Sequence, residues 1–91
     1  MRNLKILISG MVQGVNYRYF AKRAADSLGV KGWVRNLPDG RVEALAQAPD
    51  EETEKRFIRT LEQGPAYGNV TGIECTQVDD SMKYDSFEII F

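Results

Sequence analysis

From residue 4 the chain alternates, with apolar Leu4, Ile6 and Ile8 set against Lys5, Leu7 and Ser9, and this period of two predicts a strand with one strongly apolar face that stops at Gly10. From Tyr17 the period changes. Phe20, Ala21, Ala24 and Leu28 recur at helical spacing while Lys22, Arg23 and Asp26 take the other side, so an amphipathic helix closed by Gly29 is expected. Lys31 to Asn36 and Val42 to Gln47 read as two strands, joined into a hairpin by Pro38-Asp39-Gly40. Pro49 and Asp50 open a second helix, with Glu51, Glu52 and Glu54 near its start and Lys55, Arg56 and Arg59 further along, the order its dipole favours. Phe57, Ile58 and Leu61 form its core face, and Gly64-Pro65 ends it. Val70 to Val78 is a fourth strand whose apolar phase slips between Val70 and the pair Ile73 and Cys75, which places a bulge at Gly72. After a polar loop from Asp79 to Asp85, Phe87, Ile89 and Phe91 alternate as a short terminal strand.

This order predicts an α+β fold: a ferredoxin-like split βαβ sandwich (βαββαβ) with a short additional C-terminal strand and two helices on one face of a mainly antiparallel sheet. At 91 residues a single domain over 1–91 is expected, and 43% apolar with 27% charged residues describes a chain that can close a core unaided. The net charge of −1 provides no general attraction to nucleic acid or to an anionic membrane, so any basic site has to be local. Neither inner strand carries the aromatic-rich signature of single-strand RNA readers, although their strand order is the same. No apolar run approaches the ~20 residues of a membrane span, and the N-terminus lacks a secretory pattern. The single cysteine, Cys75, can close no internal disulfide and reads as a small buried hydrophobe on its strand. A cytoplasmic monomer that engages neither nucleic acid nor membrane is the expectation.

The candidate chemistry lies in Gly10-Met11-Val12-Gln13-Gly14-Val15-Asn16-Tyr17-Arg18, between the first strand and the first helix. A glycine-bearing turn that enters a helix delivers backbone N–H groups without intrahelical partners, and the Arg18 guanidinium adds a fork of donors, so the segment has the makings of an anion cradle. Phosphate is the natural guest. Out of this context Arg18 would be a solvated helix-start arginine, Asn36 a turn residue capping its own backbone, and Tyr17 and Trp33 packing residues. Other phosphatase designs fit poorly: Cys75 is not followed by arginine at the required spacing, histidine is absent, and the adjacent Asp79-Asp80 lack the Asp-x-Asp pattern of magnesium-dependent enzymes. No metal and no cofactor are called for.

Two motifs resemble the acylphosphatase family. Gly10 to Arg18 is similar to G-x-V-Q-G-V-x-[F]-R, and Gly32-Trp33-Val34-Arg35-Asn36 with Gly40 and Val42 is similar to G-[aromatic]-V-[K/R]-N-x-x-x-G-x-V. The resemblance implies a hydrolase that cleaves the carboxyl–phosphate bond of a small-molecule acyl phosphate. It implies that Arg18 binds the phosphate, that Gln13, Gly14, Val15, Asn16, Tyr17 and Arg18 supply loop amides, that Asn36 positions water, and that a substrate phosphate oxygen takes the proton. Three positions depart from the pattern: Met11 where a basic residue is usual, Tyr17 where phenylalanine is commoner, and Ala48 where glycine often stands. The competing reading is a non-catalytic phosphate- or anion-binding module on the same fold.

Overall fold

The computed structural model describes residues 2–79 and 83–90. Its elements run β1 (Arg2–Met11), α1 (Tyr17–Leu28), β2 (Lys31–Asn36), β3 (Val42–Ala48), α2 (Glu51–Gln63), β4 (Asn69–Gln77) and β5 (Phe87–Ile89). The strands form one five-stranded sheet in the order β4-β1-β3-β2-β5, antiparallel throughout except for the parallel pair β2–β5. The chain therefore adopts the ferredoxin-like α+β plan that its element order predicts.

Alternation in the strands decides which face the helices cover. Leu4, Ile6 and Ile8 of β1, Val34 of β2, and Val42, Ala44 and Ala46 of β3 share one buried cluster with Tyr17, Ala21 and Ala25 of α1 and Phe57 and Leu61 of α2. Small alanines along the central strand leave room for helix side chains above them. Beside the buried stripe of α1, Phe20, Ala24 and Leu28 pack as partly buried neighbours. Tyr17 anchors the two helices: its ring is buried and its hydroxyl donates to the Leu61 carbonyl at 2.6 Å, one of the last-turn acceptors that α2 cannot satisfy internally.

Among the described residues the opposite face carries no helix, and it is laced by charge. Glu43, on the central strand, lies between Lys5 Nζ at 3.2 Å and Arg35 Nη2 at 2.7 Å, and Arg35 also sits over the Trp33 ring. Burial pushes the Glu43 carboxyl up, but the Arg35 and Lys5 donors outweigh it and hold it below the usual carboxylate range.

Several expectations change. β1 continues through Gly10 to Met11, because the β1–β4 register shifts between Ser9 and Gly10: Ser9 pairs with Gly72 and Gly10 with Val70, leaving Thr71 as the extra residue of the bulge expected beside Gly72. Gly10 is required there, since at φ 123° a Cβ would stand 2.1 Å from the Asn69 carbonyl oxygen. Cys75 is exposed rather than buried, because β4 is an edge strand with few neighbours on either face. Ala48 brings no strain, as Asn16 is the one described non-glycine residue with positive φ. The assignments of Asp80 and Phe91 lie outside the described residues.

Tyr17→Phe leaves the Leu61 carbonyl without its buried donor and is expected to lower stability by about 1–2 kcal/mol, read from the urea midpoint. Because the folded Glu43 carboxyl titrates below its ordinary value of 4.5, its contribution is present above that pH and is lost on acidification through the folded value. Urea midpoints are therefore expected to fall less between pH 7 and pH 3 in Glu43→Gln than in the wild type.

Candidate active site

The register of the central strands brings the two sequence motifs together. Val42 pairs with Ile8 on one side and with Asn36 on the other, so the end of β1 and the end of β2 flank the same residue. Asn36 shares the strand phase of buried Val34, which directs it to the helix side of the sheet. The loop leaving β1 turns back over this row to start α1.

Two left-handed residues make that turn, Gly14 at φ 77° and Asn16 at φ 60°. A Cβ on Gly14 would meet nothing within 4 Å, so backbone conformation rather than space explains glycine at this position. Asn16 is the N-cap of α1, yet its side chain makes no capping bond and the first turn holds no acidic residue. The other helix is handled differently: Asp50 accepts from the Thr53 amide at 2.7 Å, and Glu51, Glu52 and Glu54 fill the first turn of α2. The positive end of α1 is thus left uncompensated, as a helix end built to receive an external anion would be.

A side chain secures the loop against the hairpin. Gln13 Nε2 donates to the carbonyls of Leu37 at 2.8 Å and Arg41 at 3.0 Å, the two ends of the turn that follows Asn36. That turn is closed by Leu37 N to Arg41 O at 2.8 Å and by Asp39, whose carboxylate accepts from the Arg41 amide and guanidinium. The positive charge of Arg41 is spent on Asp39 and that of Arg35 on Glu43, so neither adds free potential at the mouth.

Gln13, Gly14, Asn16, Tyr17, Arg18 and Asn36 all line one cavity of about 120 Å³. Water occupies roughly 30 Å³ in the liquid, so the space suits a tetrahedral oxyanion and a water molecule. Val12, from the same motif but given no role there, and Tyr19, which lies outside it, complete the wall. Val15 is not brought into this cavity; it lines a neighbouring groove. Tyr17 commits its side chain to the core, where burial pushes its hydroxyl far above the ordinary phenol value. Asn36 Oδ1 is buried and accepts no hydrogen bond, so the residue is not the self-capping turn residue that its neighbours Leu37-Pro38 suggest. The cavity wall offers no carboxylate, imidazole or thiol to a metal ion. Cys75 lies on β4, its thiol pushed up by partial desolvation and by the carboxylates of Glu54 and Glu62, which suppresses the nucleophilic thiolate.

The fold is a split βαβ sandwich whose uncapped helix start, one arginine and one carboxamide surround a single cavity of oxyanion size. The acylphosphatase family model matches residues 4–89. An acylphosphatase of Archaeoglobus fulgidus is 43% identical over 88 residues, covering 97% of both chains, and one of Acaryochloris marina is 45% identical over 87 residues, covering 96% of this chain and 91% of its own. The crystal structure of acylphosphatase from Bacillus subtilis superposes with a TM-score of 0.94 at 36% identity, over the full length of both chains. The chain belongs to the acylphosphatase family, and it is an enzyme of that class.

Gln13→Ala removes the donor shared by the Leu37 and Arg41 carbonyls. It is expected to cost about 1–2 kcal/mol in urea denaturation and to speed hydrogen exchange of the Leu37 and Gly40 amides, while exchange in α2 changes only by the global loss.

Proposed function

We propose that the chain hydrolyses small-molecule acyl phosphates to a carboxylate and inorganic phosphate, with Arg18 and the loop amides holding the phosphoryl group and Asn36 positioning water. The observation that carries this reading is the convergence of Arg18 and Asn36 on one cavity at the uncapped start of α1, with Asn36 Oδ1 buried and unbonded.

The chemistry asks little of a protein. The water oxygen attacks phosphorus as the bond from phosphorus to the acyl oxygen breaks, and the carboxylate leaves with the electron pair. Its conjugate acid has a pKa of roughly 4, so no general acid is needed at neutral pH. What remains is to hold the phosphoryl group, offset charge on its equatorial oxygens and align the water, which is positioning plus electrostatics. The amides of Gln13 to Arg18 and the Arg18 guanidinium serve the first two tasks. The Asn36 carbonyl accepts from water and so orients it without titrating. The proton lost by water goes to a phosphoryl oxygen, since the cavity wall offers no imidazole or carboxylate. That same wall supplies no ligand set for a metal, so the loop amides, Arg18 and Asn36 carry the positioning and the charge.

Arg18→Ala is expected to lower kcat/KM for acetyl phosphate by about a thousandfold or more and to abolish competitive inhibition by inorganic phosphate. Asn36→Ala is expected to lower kcat by about a hundredfold while the inhibition constant for phosphate changes only a few times. Normal turnover by both variants would refute the assignment.

A further inference from the structure

The phosphate cavity shares a wall with a larger depression. Asn16 and Tyr19 line both the 120 Å³ cavity and a groove of about 730 Å³ that continues over Val15, Phe20, Arg23 and Pro65. Asn36 lines the cavity and not the groove. In an in-line displacement the leaving oxygen lies across phosphorus from the attacking water. With water held at Asn36, the acyl group departs past a wall that Asn36 does not form. The wall of Asn16 and Tyr19 opens onto a space within the usual size range of a small-molecule site.

The lining of the groove is selective in charge as well as shape. Val15, Phe20 and Pro65 offer apolar surface for a hydrocarbon stem, no acidic residue lines the groove, and Arg23 is its one charged group. Six cations elsewhere are matched, Lys5 and Arg35 to Glu43, Lys22 to Asp26, Arg41 to Asp39, Lys55 to Glu51 and Arg56 to Glu52, whereas Lys31, Arg59 and Lys83 make no ion pair among the described residues and line no part of the groove. Arg23 is exposed and makes no ion pair among the described residues. It follows Arg18 by five residues on the same helix, about 7.5 Å along the axis and roughly 140° around it, and it lines the groove but not the phosphate cavity.

We infer that this groove is the acyl-binding subsite and that Arg23 makes the enzyme favour acyl phosphates whose acyl chain ends in a second anionic group. The inference rests on the hydrolase reading above. Arg23 is solvent-exposed, and exposed ion pairs change an equilibrium by up to about fivefold, which sets the size of the preference.

The test uses a matched pair of four-carbon substrates, succinyl phosphate ending in a carboxylate and butyryl phosphate ending in a methyl group. Values of kcat/KM are compared for the wild type, Arg23→Gln and Arg23→Lys. The wild type is expected to favour succinyl phosphate by about three- to fivefold, with the ratio compressed in high salt as screening of an exposed charge requires. In Arg23→Gln the ratio falls to one or below, whereas Arg23→Lys retains most of it. A wild-type ratio of one or less with ready turnover of butyryl phosphate overturns the subsite and leaves the hydrolase reading standing. So does a ratio that survives Arg23→Gln. If the wild type accelerates neither substrate over buffer, the hydrolase reading falls and the subsite falls with it.

Discussion

The structure turns on the pairing of β3 with its two neighbours. Because Val42 has Ile8 on one side and Asn36 on the other, residues far apart in the chain are fixed two strand spacings from each other, roughly 10 Å. A slip of one residue in β2 would rotate Asn36 to the bare face beside Trp33 and replace it on the helix side with Arg35 or Leu37. The apolar alternation of β1, β2 and β3 prevents the slip, since it would expose Val34 and bury charge. Packing of the core and composition of the cavity are therefore one constraint, imposed by the same ladder of hydrogen bonds.

Around that ladder, the two helices show how a protein spends or withholds its capping groups. At α2, Asp50 and three glutamates neutralise the exposed amides and the dipole locally, and the helix serves structure. At α1 no side chain does so, and the left-handed Asn16 turns its backbone into the entry of the helix without covering it. The stability withheld there is supplied elsewhere, by the Tyr17 bond to Leu61 and by Gln13 bridging to the hairpin. Both supports lie within the motif itself, so the segment that presents donors to a ligand also anchors its own backbone.

Much of this was legible in the sequence, for reasons that differ by element. The helices and the first three strands were readable because periodicity and local punctuation agree: Gly29 and Gly64-Pro65 stop helices where apolar stripes end, and Pro38-Asp39-Gly40 turns the chain between two alternating runs. The phase slip in β4 also carried a true signal, since Thr71 is the residue left over beside Gly72. Cys75 misled because alternation tells which face a residue takes but not whether the strand sits at an edge, where either face is wet. Gly10 looks like a stop because glycine punctuates strands locally, whereas its real constraint is the approach of Asn69 from a distant part of the chain. The motif residues at the site were readable as types and spacings. The role of the Gln13 side chain was not, because its acceptors are 24 and 28 residues away. Nor was the groove, whose walls come from Val15, Arg23 and Pro65, with no linear pattern to link them.

The bulge at Thr71 has a consequence for how these molecules coexist when crowded. β4 runs for nine residues along the rim of the sheet, and a straight rim of that length offers a template on which another chain could extend the ladder. One surplus residue breaks the spacing of donors and acceptors and adds local twist near the start of that rim. The irregularity that fits Gly10 beneath Asn69 thus also divides the rim into a short start at Asn69–Val70 and a regular run from Gly72 to Gln77, in place of one straight template of nine residues.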